Sequence, residues 1–189
     1  KKEIDTHKEL IKNRITNSEH FLVLLNSDLS TISKIEFYRT ILFFAENKDM
    51  ILNEKTRNDA ETKGYYTTLN TTEMPGIINK YNYWYNDYKE LNLGVLEICK
   101  KFIGANVPKV IEPDLVNYAY QLWGPETEEI KKALKGNVVQ SISKEDKDAI
   151  KFEIANKIVL LKAELNTLDT LEGYADKAIA TLEQNLEKH

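Results

Sequence analysis

Cysteine, glycine and proline are scarce in this sequence, and each scarcity excludes a class of structure. The single cysteine, Cys99, has no partner for a disulfide within the chain, and zinc ligation by several cysteines is excluded as well. Only 7 Gly and 4 Pro interrupt the 189 residues. A β-sandwich or barrel needs a turn about every 8 to 12 residues, so this composition favours long, uninterrupted helices.

Clustered basic charge and long apolar runs are also missing. The chain carries 26 basic and 30 acidic residues, a net charge of −4, and the two signs are interspersed. Binding to a phosphate backbone requires grouped Lys and Arg, so we expect no nucleic-acid partner. No apolar run reaches the roughly 18 residues of a membrane span, and no signal peptide is recognisable in the chain as given.

Motifs of catalysis and metal binding are missing as well. There is no Glu-x-x-His pair, no Gly-x-Ser-x-Gly, no glycine-rich phosphate loop and no Cys near a His. His7 and His20 lie among charged residues, with no second His one helical turn away. Asp169, Glu172 and Asp176 share a helix face, for which we favour a solvated surface over a cation site. We therefore predict no enzyme activity, no cofactor and no metal site.

What the sequence does contain is helical periodicity in three long segments. Apolar residues recur at helical spacing over 4–32, over 75–104 and over 144–188. At 27–34 Ser and Thr accumulate and the repeat changes phase, which predicts a kink or a break. A second helical piece is then expected to end near Asn47.

The central segment, 75–104, has the most regular pattern. Its large apolar residues alternate at spacings of four and three, and they are Ile77, Tyr81, Trp84, Tyr88, Leu91, Val95, Ile98 and Phe102. This spacing predicts one helix face directed toward partner helices. Cys99 lies beside that face, and we interpret it as a small buried residue.

These patterns predict an all-α protein. Amphipathic helices with one apolar face each are most simply buried against one another. We expect an elongated helical bundle of three long helices plus two or three shorter ones. The length suits a single helical-bundle domain over residues 1–189.

The aromatic run at 81–88 has the most unusual composition in the chain. The candidate ligand or interaction surface consists of this run and one later tryptophan: Tyr81, Tyr83, Trp84, Tyr85, Tyr88 and Trp123. Four of the side chains share one helix face, whereas Tyr83 must point elsewhere. We favour core and half-core packing over an aromatic-walled pocket or a binding surface.

Four segments follow one another in an order typical of one protein family. They are KKEIDTHKELIKNRI, IEFYRTILFFAENKD, LNTTEMPGIINKYNYWYNDY and IANKIVLLKAELNTLDTLEGYADKAIATLEQNLE. Together they resemble an uncharacterised family of small bacterial envelope proteins, whose members have one N-terminal transmembrane helix and an extracytoplasmic helical domain. The resemblance covers nearly the whole chain and implies no catalytic residues. The loop that contains Pro108 and Pro113 departs from the family's pattern.

The resemblance implies a location for the chain. A membrane helix would precede Lys1, in agreement with a first residue that is not Met, and the domain would be periplasmic or otherwise extracytoplasmic. A cytoplasmic protein is the alternative. The membrane is expected as a partner only through that preceding segment.

Two functions are favoured by the sequence, and a cytosolic scaffold or enzyme is a third option. The first is a non-enzymatic, membrane-anchored domain that acts by protein-protein interaction, with another envelope protein or with itself. The alternative is a ligand-sensing helical bundle with an aromatic-lined small-molecule pocket.

Overall fold

A computed structural model of the chain describes residues 2–46, 73–138 and 142–186. Within these ranges there is no β-strand, which confirms the all-α class. The α-helices are α1 (Lys2–Asn26), α2 (Lys34–Ala45), α3 (Met74–Ala105), α4 (Val107–Val110), α5 (Val116–Gln121), α6 (Glu128–Ala133) and α7 (Lys144–Leu186). Two 3-10 turns, Leu29–Thr31 and Pro113–Leu115, complete the regular structure of these ranges.

The longest helix, α7, lies along both α3 and α1, and α2 lies along α1. α3 packs tightly against α7 at Gly94, where an added Cβ would lie 3.2 Å from Leu160 Cδ1. A side chain at this position would require Leu160 to shift by a few tenths of an ångström.

The predicted break after the first helix is confirmed. α1 ends at Asn26, and the Asp28 carboxylate then accepts a hydrogen bond from the amide of Ser30, 3.0 Å away. Ser33 caps α2 by accepting from the Glu36 amide at 3.2 Å. Ser, Asp and Thr offer the backbone such local partners, which is why they end one helix and begin the next. The second helix ends at Ala45, while Asn47 lies outside the described residues.

Four buried phenylalanines from α1, α2 and α3 contact one another in the core. They are Phe21, Phe37, Phe44 and Phe102. The Phe44 and Phe102 ring centroids lie 4.7 Å apart, and Phe21 lies 5.9 Å from Phe102. These edge-on contacts join three helices that are distant in sequence.

The buried face of α3 differs from the predicted one. Tyr88, Val95 and Phe102 are buried as predicted. The other five predicted positions are only partly buried: Ile77, Tyr81, Trp84, Leu91 and Ile98. Their place at the centre is taken by Tyr85, Asn92 and Cys99.

The buried face of α3 is therefore turned relative to the predicted face. α3 is covered chiefly by α7. Tyr81 and Trp84 lie at the edge of this contact, where an aromatic ring can pack on the core while its polar atom stays at the surface. Asn92 is polar, so hydrophobic periodicity could not assign it to the interior. Cys99 is buried as predicted, with Sγ 3.7 Å from the Phe44 carbonyl oxygen.

Local hydrogen bonds between Ser143 and Asp146 define the start of α7. The Ser143 hydroxyl accepts a hydrogen bond from the Asp146 amide at 3.0 Å and donates one to the Asp146 carboxylate at 2.7 Å. The first of these bonds is that of an N-cap, and the second joins the two side chains.

Candidate functional site

Two of the six predicted aromatic site residues lie inside the protein. Tyr85 and Tyr88 are buried, and their rings stack with centroids 6.5 Å apart. Burial raises the pKa of the Tyr88 hydroxyl, an effect that the nearby Glu164 carboxylate increases. Tyr81 stacks on the outer side of Tyr85, also at 6.5 Å.

The remaining three aromatics are at the surface, in two different places. Trp84 is partly buried and contacts the core, whereas Tyr83 beside it is 68% exposed. Their ring centroids are 5.4 Å apart in an edge-on arrangement. Trp123 is 45% exposed and follows α5, which contacts α2. The five candidate aromatics of α3 thus form two groups of ring contacts, Tyr81 with Tyr85 and Tyr88, and Tyr83 with Trp84, while Trp123 lies on a different segment.

Four clefts lined entirely by described residues have volumes between 230 and 530 Å³. None of the six aromatic candidates lines any of these four. The largest lies between the start of α3 and the end of α7, near Ile77, Lys80, Tyr174 and Lys177. A ligand-binding role for the aromatic residues stays a prediction.

The acidic cluster on α7 has a cationic partner from another helix. The Lys8 ammonium of α1 lies 2.6 Å from the Asp169 carboxylate and also donates to Glu172. Lys8 is mostly buried, and burial lowers its pKa, but the hydrogen bonds and charges of Asp169 and Glu172 outweigh this effect and raise it. The face is therefore an interhelical ion-pair site that joins α1 to α7.

A buried polar cluster lies between α1, α3 and α7, and the sequence interpretation did not find it. Lys157, Glu164 and Asn92 are all buried, and Ser18 of α1 is fully buried as well. Arg14 of α1 lies near enough to act on the charge of Glu164 and Lys157. Burial of charged groups lowers the stability of the fold unless hydrogen bonds or opposite charges compensate for the lost hydration.

Within the buried polar cluster, the pKa of the Glu164 carboxyl departs most from its ordinary value. Burial raises the pKa of its carboxyl to about 7, and Asn92, Arg14 and Lys157 oppose the rise. Among the described residues, neither carboxylate oxygen meets a hydrogen-bond donor with acceptable geometry. The group can exchange a proton near neutral pH, but it is fully buried and lines none of the four clefts.

Lys157 has a structural partner at the end of α2. Its ammonium donates to the carbonyl oxygen of Phe44 and lies 4.4 Å from the centroid of the Phe44 ring. The last carbonyls of a helix lack intrahelical donors and carry partial negative charge. α2 has no basic residue in its last turn, so Lys157 supplies the missing cation from α7. Burial lowers the pKa of Lys157.

A signal for this cluster was present in the sequence. On α7 the buried positions Ile154, Lys157, Leu161, Glu164 and Leu168 follow spacings of three, four, three and four. The two charged residues therefore occupy core-facing positions of an otherwise apolar row. A search restricted to apolar residues does not include them.

The opposite face of α7 exposes large apolar side chains. Phe152 and Val159 are 67% and 65% exposed, and they lie two helical turns apart. The exposed residues between them, Ala155 and Asn156, are uncharged, and so is Asn166 one heptad after Val159. This outward α7 face contrasts with the mixed charges of most of the surface.

Two further findings concern the described residues alone. In the described ranges, no three His, Cys, Asp or Glu side chains lie close enough together to hold a metal ion. Of the helices described, none has both the length and the apolar character needed to cross a membrane.

Comparison with known proteins finds no matching family model, no similar curated protein and no similar solved structure.

Proposed function

We propose that this chain is a non-enzymatic helical domain that acts by binding another protein chain. In this proposal the chain forms one elongated bundle around three long helices, α1, α3 and α7, and membrane anchoring places the domain outside the cytoplasm. The observation that carries the interaction role is the outward α7 face, where Phe152 and Val159 are mostly exposed on the helix that also forms the core.

The physical argument is that exposed aromatic and β-branched side chains on a rigid helix bind a partner at low entropic cost. Their rotamers are restricted in a helix, so little freedom is lost on association. Buried aromatic residues also supply a large share of the binding energy at protein interfaces. The other side of α7 packs in the core, so a partner bound to the outward α7 face would contact a helix that is fixed in position.

The location outside the cytoplasm is supported by the sequence resemblance alone. Protease treatment of spheroplasts that carry the native gene product tests it. We expect degradation of the domain in intact spheroplasts. Recovery of the protein intact in the cytosolic fraction would overturn this part of the proposal and leave the interaction role to be judged separately.

Site-specific photo-crosslinking in the native cells tests the interaction role. A photoreactive amino acid replaces Val159 on the outward α7 face, and a matched variant carries it at Glu97, an exposed position of α3. We expect one discrete protein adduct from position 159 and none from position 97. Equal labelling from both positions, or no adduct from position 159, would contradict the proposal.

A further inference from the structure

The outward α7 face contains a heptad row that is exposed in the single chain. Phe152, Val159, Asn166 and Gly173 lie seven residues apart and are all exposed. Residues at this spacing form a nearly straight row along a helix, the arrangement through which two helices associate along their length. The core-facing row of α7 lies on the other side and is already covered by α1 and α3.

Packing within the chain does not explain Gly173. A Cβ added at this position would meet no atom within 4 Å, and among the described glycines only Gly136 has a positive φ. Glycine weakens a helix interior because it loses the most backbone freedom on folding. What glycine offers in return is room for another chain to approach the helix backbone closely.

The row is complementary to itself when two copies of α7 lie antiparallel. A two-fold axis midway between Lys162 and Ala163 places Phe152 of each copy opposite Gly173 of the other, because the two residues are equally distant from the axis in sequence. The same axis places Val159 opposite Asn166. The largest side chain of the row, Phe152, thus faces Gly173, which has no side chain. Because both copies use the same surface, the contact is isologous.

The charges at the two ends favour the same arrangement. Asp148 lies one helical turn before Phe152, and Lys177 lies one turn after Gly173. The antiparallel axis places Asp148 of each copy opposite Lys177 of the other. A parallel pair would instead place like charges against each other, which is unfavourable.

One charge lies near the axis itself. Lys162 is at the edge of the face, and its ammonium lies 3.5 Å from the Glu19 carboxylate of α1 in the same chain. This partner directs the lysine toward α1 and balances its charge. The centre of the contact is then formed by Val159 and Ala163.

We propose that the outward α7 face is the interface of a homodimer, in which two α7 helices lie antiparallel with Phe152 of each copy over Gly173 of the other. The inference rests on the proposed interaction role and names its partner as a second copy of this chain.

Sedimentation velocity of the full chain over about 1 to 200 μM tests the dimer, since self-association of a standard-sized interface falls within or below this range. We expect the mass to rise from that of one chain to that of two. A single-chain mass at every concentration would overturn the proposal.

Substitution of Gly173 distinguishes loss of the interface from loss of the fold. Gly173→Gln improves helix propensity and enters open space, so the isolated chain should gain thermal stability. The same side chain would occupy the position of Phe152 from the other copy, and we expect the dimer to weaken by about tenfold or more. The matched control is Gly104→Gln on α3, which also enters open space but lies away from the face. Equal dimer affinity in the two variants would contradict the proposal.

A charge exchange tests the antiparallel direction. Asp148→Lys and Lys177→Asp should each weaken the dimer, and the double variant should restore it, because opposite charges then face each other again. Failure of the double variant to recover affinity would overturn the antiparallel pairing. A chain that remains a monomer yet forms an adduct with a different protein through position 159 would refute the homodimer and retain the proposed interaction role.

Discussion

At the scale of single residues, the unusual feature is charge inside the core. Lys157 donates a hydrogen bond to the last turn of α2, and its cost of burial is offset by the carbonyl of Phe44 and the face of the Phe44 ring. Asn92, Arg14 and Lys157 favour the charged form of Glu164, but burial outweighs them and raises the pKa of its carboxyl. One buried acid thus couples the stability of the protein to pH.

The expected effect of Glu164 on stability has a definite sign. Its pKa is about 7 in the folded protein against the ordinary value of 4.5. Between these values the folded state retains a proton that the unfolded state releases, so the free energy of unfolding decreases as pH rises through this window. The decrease amounts to about 3 kcal/mol at most and is complete above pH 7.

Glu164→Gln removes this titration and keeps the side-chain shape. We expect the variant to match the parent near pH 5 and to exceed its free energy of unfolding near pH 8, measured by urea denaturation at each pH. The control is Glu183→Gln, an exposed residue of the same helix, whose curve should run parallel to that of the parent. A constant difference between Glu164→Gln and the parent across this range would refute the assignment.

At the scale of elements, local sequence determines where helices start and stop. Ser143 begins α7 through hydrogen bonds within four residues, and Asp28 and Ser33 separate α1 from α2 in the same way. The end of α2 is different, because its cation comes from Lys157 of α7. Helix ends can therefore depend on residues far away in sequence.

Ser143→Ala should lower the free energy of unfolding by about 1 kcal/mol, because the Asp146 amide loses its side-chain acceptor. Ser143→Asn, which retains an accepting side chain, should cost little. Urea denaturation of both variants measures the difference, and hydrogen exchange should show faster opening in the first turn of α7 for the alanine variant. Equal losses in the two variants would show that the hydroxyl does not act as a cap.

At the scale of the whole molecule, cohesion comes from contacts between distant segments. The cluster of Phe21, Phe44 and Phe102 joins α1, α2 and α3, and α7 contacts both α1 and α3 along its length. Buried apolar residues of all these helices form one continuous cluster. Loss of one central ring should therefore destabilise several helices together.

Phe102→Ala should lower the free energy of unfolding by about 3 to 5 kcal/mol, because it removes buried surface and leaves a cavity. Tyr83→Ala on the same helix, where the side chain is 68% exposed, should change it by less than about 0.5 kcal/mol. Thermal denaturation followed by circular dichroism measures both. Similar midpoints for the two variants would contradict the central position of Phe102.

The prediction from sequence was most successful where the signal is local. The scarcity of glycine and proline, the helical repeats and the capping residues indicated the all-α class, the break after α1 and the start of α7. On α3 the period was right but the buried face was rotated, because Asn92 was excluded as polar while Trp84 was included as apolar. Periodicity identifies a helix and approximates its buried face, but it does not identify what covers that face.

By itself, the sequence determined that the chain is helical and where several helices begin and end, because hydrogen bonds and side-chain spacing within a few residues decide these properties. Only the tertiary structure decided that Lys157 caps α2, that Lys8 balances Asp169, and that Glu164 is enclosed between α1, α3 and α7. The reason is that each of these interactions joins helices far apart in the chain, and the energy of a buried charge depends on the neighbours that folding brings to it.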